Sequence, residues 1–249
     1  MARPDRDIQR IENSVDWFES DATGGGAGAQ PFREIIDGLW AQDIQYGTGN
    51  ALSIRTDDGI VQVDTGIEAD HARGMIERLR SVTDEPLFAL VYSHGHTAYN
   101  HGVEAWLRHA EERGDPRPQI VGHRNVLHRY ERYRQTQPWL ERVTEWQFGF
   151  PPGSILGTHM FEVLVDPDLT YIDDLTLTTA GRTVQLLHCH AETDDGTAVW
   201  LPDDGVLYGA NATIGSFPNI GSPLRAPRDP RAWADQLDSY LQYDADILI

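Results

Sequence analysis

The segment that decides the fold of this 249-residue chain is Tyr92-Ser93-His94-Gly95-His96, in which two histidines flank a glycine. It directly follows the nearly continuous apolar run of residues 87–92, which is typical of a buried strand. Side chains i and i+2 of an extended segment point to the same side, so His94 and His96 can share one metal ion. A bare His-x-His pair is a weak signal, and a loop with two ordinary histidines is the alternative.

A second polar cluster, His188-Cys189-His190-Ala191-Glu192-Thr193-Asp194-Asp195-Gly196, follows another predicted strand. It again offers imidazole and carboxylate groups, although Asp194 and Asp195 taken singly fit a polar turn with acidic surface residues. Two such clusters at strand ends together favour a metal site. Asp64-Thr65-Gly66 ends a further strand, where the carboxylate could orient a histidine or act as a helix N-cap or turn former.

The composition limits the classes of function. Acidic residues outnumber basic ones by 39 to 20, and a formal net charge of -19 repels phosphate backbones, so no nucleic-acid partner is expected. The sequence contains no apolar stretch of about 18 residues that would predict a membrane span, and its N-terminal residues lack the apolar core of a secretory signal. A single cysteine excludes an intrachain disulfide. We therefore expect a cytoplasmic protein in which an anionic ligand would need a local positive patch.

By composition the chain divides into an N-terminal arm and one domain. The arm comprises residues 1–30 with the Gly-rich joint Gly24-Gly25-Gly26-Ala27-Gly28, and the domain comprises residues 31–249. In the domain we predict strands at residues 35–40, 50–55, 60–64, 87–92 and 183–188, helices at 69–82, 102–113, 126–136 and 229–240, and a long excursion at 137–170. Two β-rich halves with helices outside predict an α/β fold, an αββα sandwich.

Three motifs occur in a fixed order along the chain: Asp64-Thr65-Gly66, His94-Gly95-His96 and Ala191-Glu192-Thr193-Asp194-Asp195. In order and spacing they resemble the motifs of metallo-β-lactamase-fold hydrolases. The most similar branch is the alkylsulfatase-like group, whose sulfate-binding stretch and following helix resemble residues 216–220, the pair Leu224-Arg225 and residues 228–233. The resemblance covers roughly residues 35–245 and implies the αββα sandwich of the metallo-β-lactamase type.

This resemblance implies that His94, His96 and Glu192 are metal ligands. Three protein ligands plus one open position are the usual arrangement of catalytic zinc, so zinc is the expected ion, with manganese or iron as alternatives. A water bound at the open position would be acidified toward neutral pH and become the nucleophile.

Several departures from the family pattern predict one ion rather than two. The pattern is His-x-His-x-Asp-His, and Ala98 and Tyr99 stand at its Asp position and at its last His position, which binds the second metal ion in the family. Ala210 stands where the family has a second carboxylate ligand. The late His of the family's Gly-His-Gly loop has no counterpart before Ile249, where the sequence ends.

The resemblance also suggests which residues act on the substrate. Arg225 matches the arginine that holds an anionic sulfate, with Asn219 as a neutral donor, although a surface ion pair is the alternative for Arg225. Tyr99 and His101 are candidate catalytic groups in place of the absent Asp, and Tyr99 could equally bind substrate. A solvated helix face that pairs with acidic residues is the prediction for Arg124, Arg129, Arg132 and Arg134.

Two hypotheses of function follow. The first is a metal-dependent hydrolase of a small ester, with an alkyl or aryl sulfate as the anionic small-molecule substrate. The second is a non-catalytic member of the fold that binds an anionic ligand or is completed by a second chain. A homodimer is a further option, because an exposed sheet edge can pair with another copy.

Overall fold

Two β-sheets form the centre of the fold. The computed structural model describes residues 32–44, 49–154, 164–214 and 228–249. Within these residues one sheet has seven strands in the order β1-β2-β3-β4-β5-β6-β7, and the other has five in the order β12-β11-β10-β9-β8. The first sheet contains β1 Phe32–Ile36, β2 Leu39–Asp43, β3 Asn50–Thr56, β4 Gly59–Val63, β5 Leu87–Val91, β6 Gln119–His123 and β7 Leu169–Tyr171. The second contains β8 Asp174–Leu177, β9 Val184–Cys189, β10 Gly196–Leu201, β11 Val206–Tyr208 and β12 Ile247–Leu248.

Helices connect these strands. They are α1 Ala69–Arg80, α2 Thr97–Asn100, α3 Val103–Arg113, α4 Asn125–Phe148 and α5 Pro230–Tyr240, with short 3-10 turns at Ala210–Ala212 and Leu241–Tyr243. The described helices do not combine the length and apolar composition needed to cross a membrane. In the first sheet β1 to β4 pair antiparallel, whereas β4 to β7 pair parallel.

The layers follow from the alternation of side chains along each strand. On β5, Ala89 and Val91 join a hydrophobic cluster that both sheets share, whereas Leu90 and Tyr92 join a cluster with α1, α3 and α4. Both faces of this strand are therefore buried, which explains why its sequence is an almost unbroken apolar run. Trp233 of α5 joins the cluster that both sheets share. The predicted αββα sandwich is confirmed.

Two predicted elements have different bounds in the structure. Residues 35–40 are a hairpin rather than one strand, because Asp37 and Gly38 form the turn between β1 and β2 and Gly38 has a φ of 71°. Helix α4 continues to Phe148 with Pro138 inside it, although the sequence predicted an end at residue 136. Burial of Leu140 and Val143 on the continuing face offsets the backbone hydrogen bond that Pro138 removes. The predicted arm, residues 1–30, lies outside the described residues, and its role as a separate unit remains a prediction.

Candidate metal centre

Residues 93–96, here the histidine loop, lie between β5 and α2 at the carboxyl end of the first sheet. Several parts of the chain hold the main chain of this loop. The Ser93 N–H donates to Asp64 Oδ1 (2.8 Å), and the Ser93 carbonyl accepts from the N–H of Thr197 on β10 (2.7 Å). Asn100 Nδ2 donates to the His94 carbonyl over 2.7 Å. Contacts with both sheets therefore fix the main chain of the loop.

Residues 190–195, here the glutamate loop, join the antiparallel strands β9 and β10 and bring Glu192 to the two histidines. One ligand atom from each of His94, His96 and Glu192 lies within 4.8 Å of the other two. The His94 and His96 rings are 4.4 Å apart between centroids, and His96 Nδ1 is 3.6 Å from Glu192 Oε2. Both histidines are buried. Two imidazole nitrogens and a carboxylate oxygen at this spacing fit the donor set that zinc prefers.

Arg228 approaches the same glutamate from the segment before α5. Its Nη2 forms an ion pair with Glu192 Oε1, and its Nε donates to the Glu192 carbonyl over 3.0 Å. The Arg228 side chain is only 5% exposed, so the pair is shielded from water. One carboxylate oxygen is thus held by the guanidinium, while the other faces His96.

Asp64 supports the histidine loop through the main chain. It is fully buried at the end of β4 with a φ of 60°, and its hydrogen bond goes to the Ser93 N–H rather than to an imidazole. Burial raises the pKa of Asp64 to about 7, despite the hydrogen bonds from Ser93 that lower it. The hydrogen bond of Asp64 therefore holds Ser93, the residue before His94, and not a histidine ring as one of the two predictions had it.

Arg129 and Asp195 form a buried ion pair beside the histidine loop, contrary to the predicted solvated arginine face and acidic surface turn. The Arg129 side chain is 3% exposed and that of Asp195 is fully buried. Arg129 Nε donates to Asp195 Oδ2 and its Nη2 donates to Asp194 Oδ1, each over 2.6 Å. Burial alone would raise the pKa of Asp195, but the charge and hydrogen bond of Arg129 outweigh it and hold this pKa below its usual range. Arg129 is buried because it lies one helical turn before buried Tyr133, on the same face of α4.

Of the other predicted site residues, the structure brings one next to the candidate ligands. The Tyr99 ring packs 4.4 Å from the His94 ring and 6.2 Å from the His96 ring, so it borders the two candidate histidine ligands. His101 follows α2, with its main-chain N–H bonded to the Thr97 carbonyl, and does not belong to the group of three ligands. Asn219 and Arg225 lie outside the described residues.

A separate histidine stack lies at the ends of β6 and β9. The rings of His123 and His188 are 3.9 Å apart and nearly parallel, and His190 meets His188 edge-on at 4.9 Å. Burial, followed by the neighbouring His188, lowers the pKa of His123 to about 4, which favours an uncharged His123 ring at neutral pH. These histidines are not part of the candidate metal group.

A family model described as the Metallo-beta-lactamase superfamily matches residues 45–249. The chain belongs to this superfamily. The linear primary-alkylsulfatase of Pseudomonas sp. (strain ATCC 19151) is 30% identical over 212 residues, which are 79% of this chain and 40% of that protein. This likeness within the superfamily supports the alkylsulfatase-like branch.

Solved structures of superfamily proteins share the fold. The stereoselective inverting sec-alkylsulfatase from Pseudomonas sp. has a TM-score of 0.71 at 20% identity, covering 88% of this chain and 38% of that one. A metallo-beta-lactamase from Pontibacter korlensis has a TM-score of 0.58 at 16% identity, covering 88% and 90%. The chain thus spans about two fifths of the length of the alkylsulfatases it resembles.

The sequence placed Asp195 in a candidate metal motif and Arg228 in a stretch that resembles the family's, but it predicted no individual role in the site for either residue or for Arg129. Spacing could not find them, since each acts on a partner that is distant in sequence or is reached only through folding. The one available signal was the burial side of α4, where Arg129 shares the face of Tyr133.

Proposed function

We propose that this protein is a metal-dependent hydrolase of a small ester, with an alkyl or aryl sulfate as the preferred substrate class. The observation that carries the proposal is the convergence of His94, His96 and Glu192, from two distant loops, within 4.8 Å. Membership of the metallo-beta-lactamase superfamily and the likeness to a linear primary-alkylsulfatase support a hydrolytic reaction on a sulfate ester.

The donor set supports one zinc ion, with manganese or iron as alternatives. His94 and His96 would supply two nitrogens and Glu192 would supply the oxygen that faces His96. Tyr99 offers no imidazole at the last histidine position of the family pattern, which binds the second metal ion in the family. When bound, the ion supplies a Lewis acid that lowers the pKa of a water molecule and polarises the ester oxygen.

The chain's own residues would bind and orient the ester. Arg225 and Asn219 are proposed to hold the sulfate oxygens, because a planar guanidinium suits a tetrahedral oxyanion. Tyr99 borders His94 and is proposed to position the substrate or the attacking water, and His101 is proposed for the same task from its place in the sequence alone.

The proposal is tested with the full chain, stripped of metal and reconstituted with zinc, manganese or iron. We expect about one zinc ion per chain, since the site offers three ligands. We also expect release of inorganic sulfate from octyl sulfate or 4-nitrophenyl sulfate that stops with a chelator and returns with metal. A chain that binds metal at the three ligands but hydrolyses no sulfate ester would overturn the substrate class, and one that binds no metal would overturn the whole proposal.

A second candidate is a non-catalytic member of the superfamily that binds an anionic ligand or a second chain. The ion pair between Arg228 and Glu192 favours it, because the guanidinium already neutralises the carboxylate that would otherwise bind a cation. A chain that stays metal-free and inert under the assay above would support this candidate.

A further inference from the structure

Arg129 lies where the two ligand-bearing loops meet. Its guanidinium binds two consecutive carboxylates of the glutamate loop, Asp195 through Nε and Asp194 through Nη2. Asp195 Oδ2 also accepts the N–H of Gly95, at the centre of the histidine loop, over 3.1 Å. One oxygen atom therefore joins the guanidinium to the peptide between the two histidines.

The packing around Gly95 leaves no room for a side chain. A Cβ added at this position would lie 2.6 Å from Asp195 Oδ2 and 2.8 Å from Arg129 Cδ. Both of these side chains are buried, so neither can swing into solvent to make space. The peptide of the histidine loop thus lies directly on the ion pair, and the pair limits where that peptide can be.

Helix α4 supports the same loop a second time. Asn100 Nδ2 donates to the His94 carbonyl (2.7 Å) and to the hydroxyl of Tyr130 (3.0 Å), the residue after Arg129. Tyr130 is fully buried. Both polar groups of the His94–Gly95 peptide, the His94 carbonyl and the Gly95 N–H, are therefore held by contacts that lead to the first turns of α4.

The chemistry of the pair suits a positioning role. A guanidinium presents several N–H groups in one plane and can hold two carboxylates at once, whereas a lysine ammonium acts as a point charge. Hydrogen bonds between charged groups in a buried setting are short and directional, as the two distances of 2.6 Å show. Metal ligands need placement within about 0.5 Å of the productive geometry, so a shift of either loop would displace the ligand atoms and weaken metal binding.

We propose that Arg129 is a positioning residue that, through Asp194 and Asp195, fixes the spacing between the histidine loop and the glutamate loop and thereby sets the affinity of the metal centre. This inference rests on the metal role proposed for His94 and His96.

The test compares Arg129→Lys with Arg134→Lys in the full chain. Arg134 lies on the same helix, and the partners it contacts, Leu164 and Asp166, belong to neither loop. Zinc affinity is measured by competition with a chromophoric chelator, and side-chain 15N resonances of His94 and His96 are recorded in the metal-free protein. We expect Arg129→Lys to weaken zinc binding by about 10- to 100-fold, as loss of a contact that supports a ligand does, and to shift both sets of resonances. Arg134→Lys is expected to do neither.

A milder variant covers the case in which Arg129→Lys does not fold. The Asp194 side chain is 41% exposed, so Asp194→Asn removes one arm of the contact at a tolerant position and is expected to give a smaller change in the same direction. The inference would be overturned if the histidine resonances and zinc affinities of Arg129→Lys and Asp194→Asn both match those of wild type. It would also be overturned if Arg134→Lys changes them as much as Arg129→Lys does. If the wild-type chain binds no zinc, the proposed function fails, while the metal-free histidine resonances still decide the role of Arg129.

Discussion

His94→Ala is expected to weaken zinc binding by more than about 100-fold. Loss of a contact that only supports a ligand weakens metal binding by about 10- to 100-fold, and this substitution removes a ligand itself. The substitution removes one of three ligands and leaves His96 and Glu192, whose other carboxylate oxygen is held by Arg228. Two remaining protein donors are fewer than zinc sites in proteins normally have. The measurement is competition with a chelator of known affinity, with the metal content of the purified protein beside it.

His109→Ala is the matched control for this experiment. His109 lies on α3, where its Nε2 accepts a hydrogen bond from Arg80 Nε over 2.9 Å, and it is not part of the ligand group. Zinc affinity in this variant is expected to equal that of wild type. Equal affinities in His94→Ala and His109→Ala would contradict the ligand assignment.

Arg129→Met is expected to lower the free energy of unfolding by about 3–5 kcal/mol, because it leaves the buried carboxylate of Asp195 without its cation. The same substitution at Arg134, whose ion pair with Asp166 is more than a third exposed, is expected to cost only about 0–1 kcal/mol. Both variants are compared with wild type by urea denaturation at neutral pH. A cost at Arg129 no larger than that at Arg134 would show that the buried pair contributes little.

The pH dependence of this pair has a defined sign. The folded-state pKa of Asp195 is depressed below the ordinary value of 3.8, so the pair stabilises the fold fully above that value and less as the pH falls through the folded pKa. In Arg129→Met, burial without the cation raises the pKa of Asp195 above its ordinary value. The difference in unfolding free energy between wild type and this variant is therefore expected to narrow as the pH falls, beginning above about pH 4 and continuing below it. A difference that grows on acidification would contradict this assignment.

Most of the fold followed from local pattern. The apolar run of β5 predicted a buried strand, and the strands predicted at residues 50–55 and 60–64 are the paired strands β3 and β4. The predicted end of α4 at residue 136 was wrong, because a proline such as Pro138 normally ends a helix. The helix continues because Leu140 is buried in the core, which is a tertiary contact that local sequence does not reveal.

The candidate ligands were also predictable, because polar clusters after two predicted strands favoured a metal site and the family resemblance implied which residues of those clusters are ligands. His94, His96 and Glu192 come together since β5 and the β9–β10 hairpin end at the same edge of the sandwich. Arg129 and Asp195 were not predictable as a pair, because they are 66 positions apart and an acidic turn and an arginine-rich helix both look solvated in sequence.

That His94, His96 and Glu192 bind one metal ion is tested by an anomalous difference map at the zinc edge, from crystals of the full chain grown with zinc. We expect one peak at about 2.0–2.2 Å from a nitrogen of His94, a nitrogen of His96 and an oxygen of Glu192. A peak bound elsewhere, or no peak at these three side chains under saturating zinc, would contradict it.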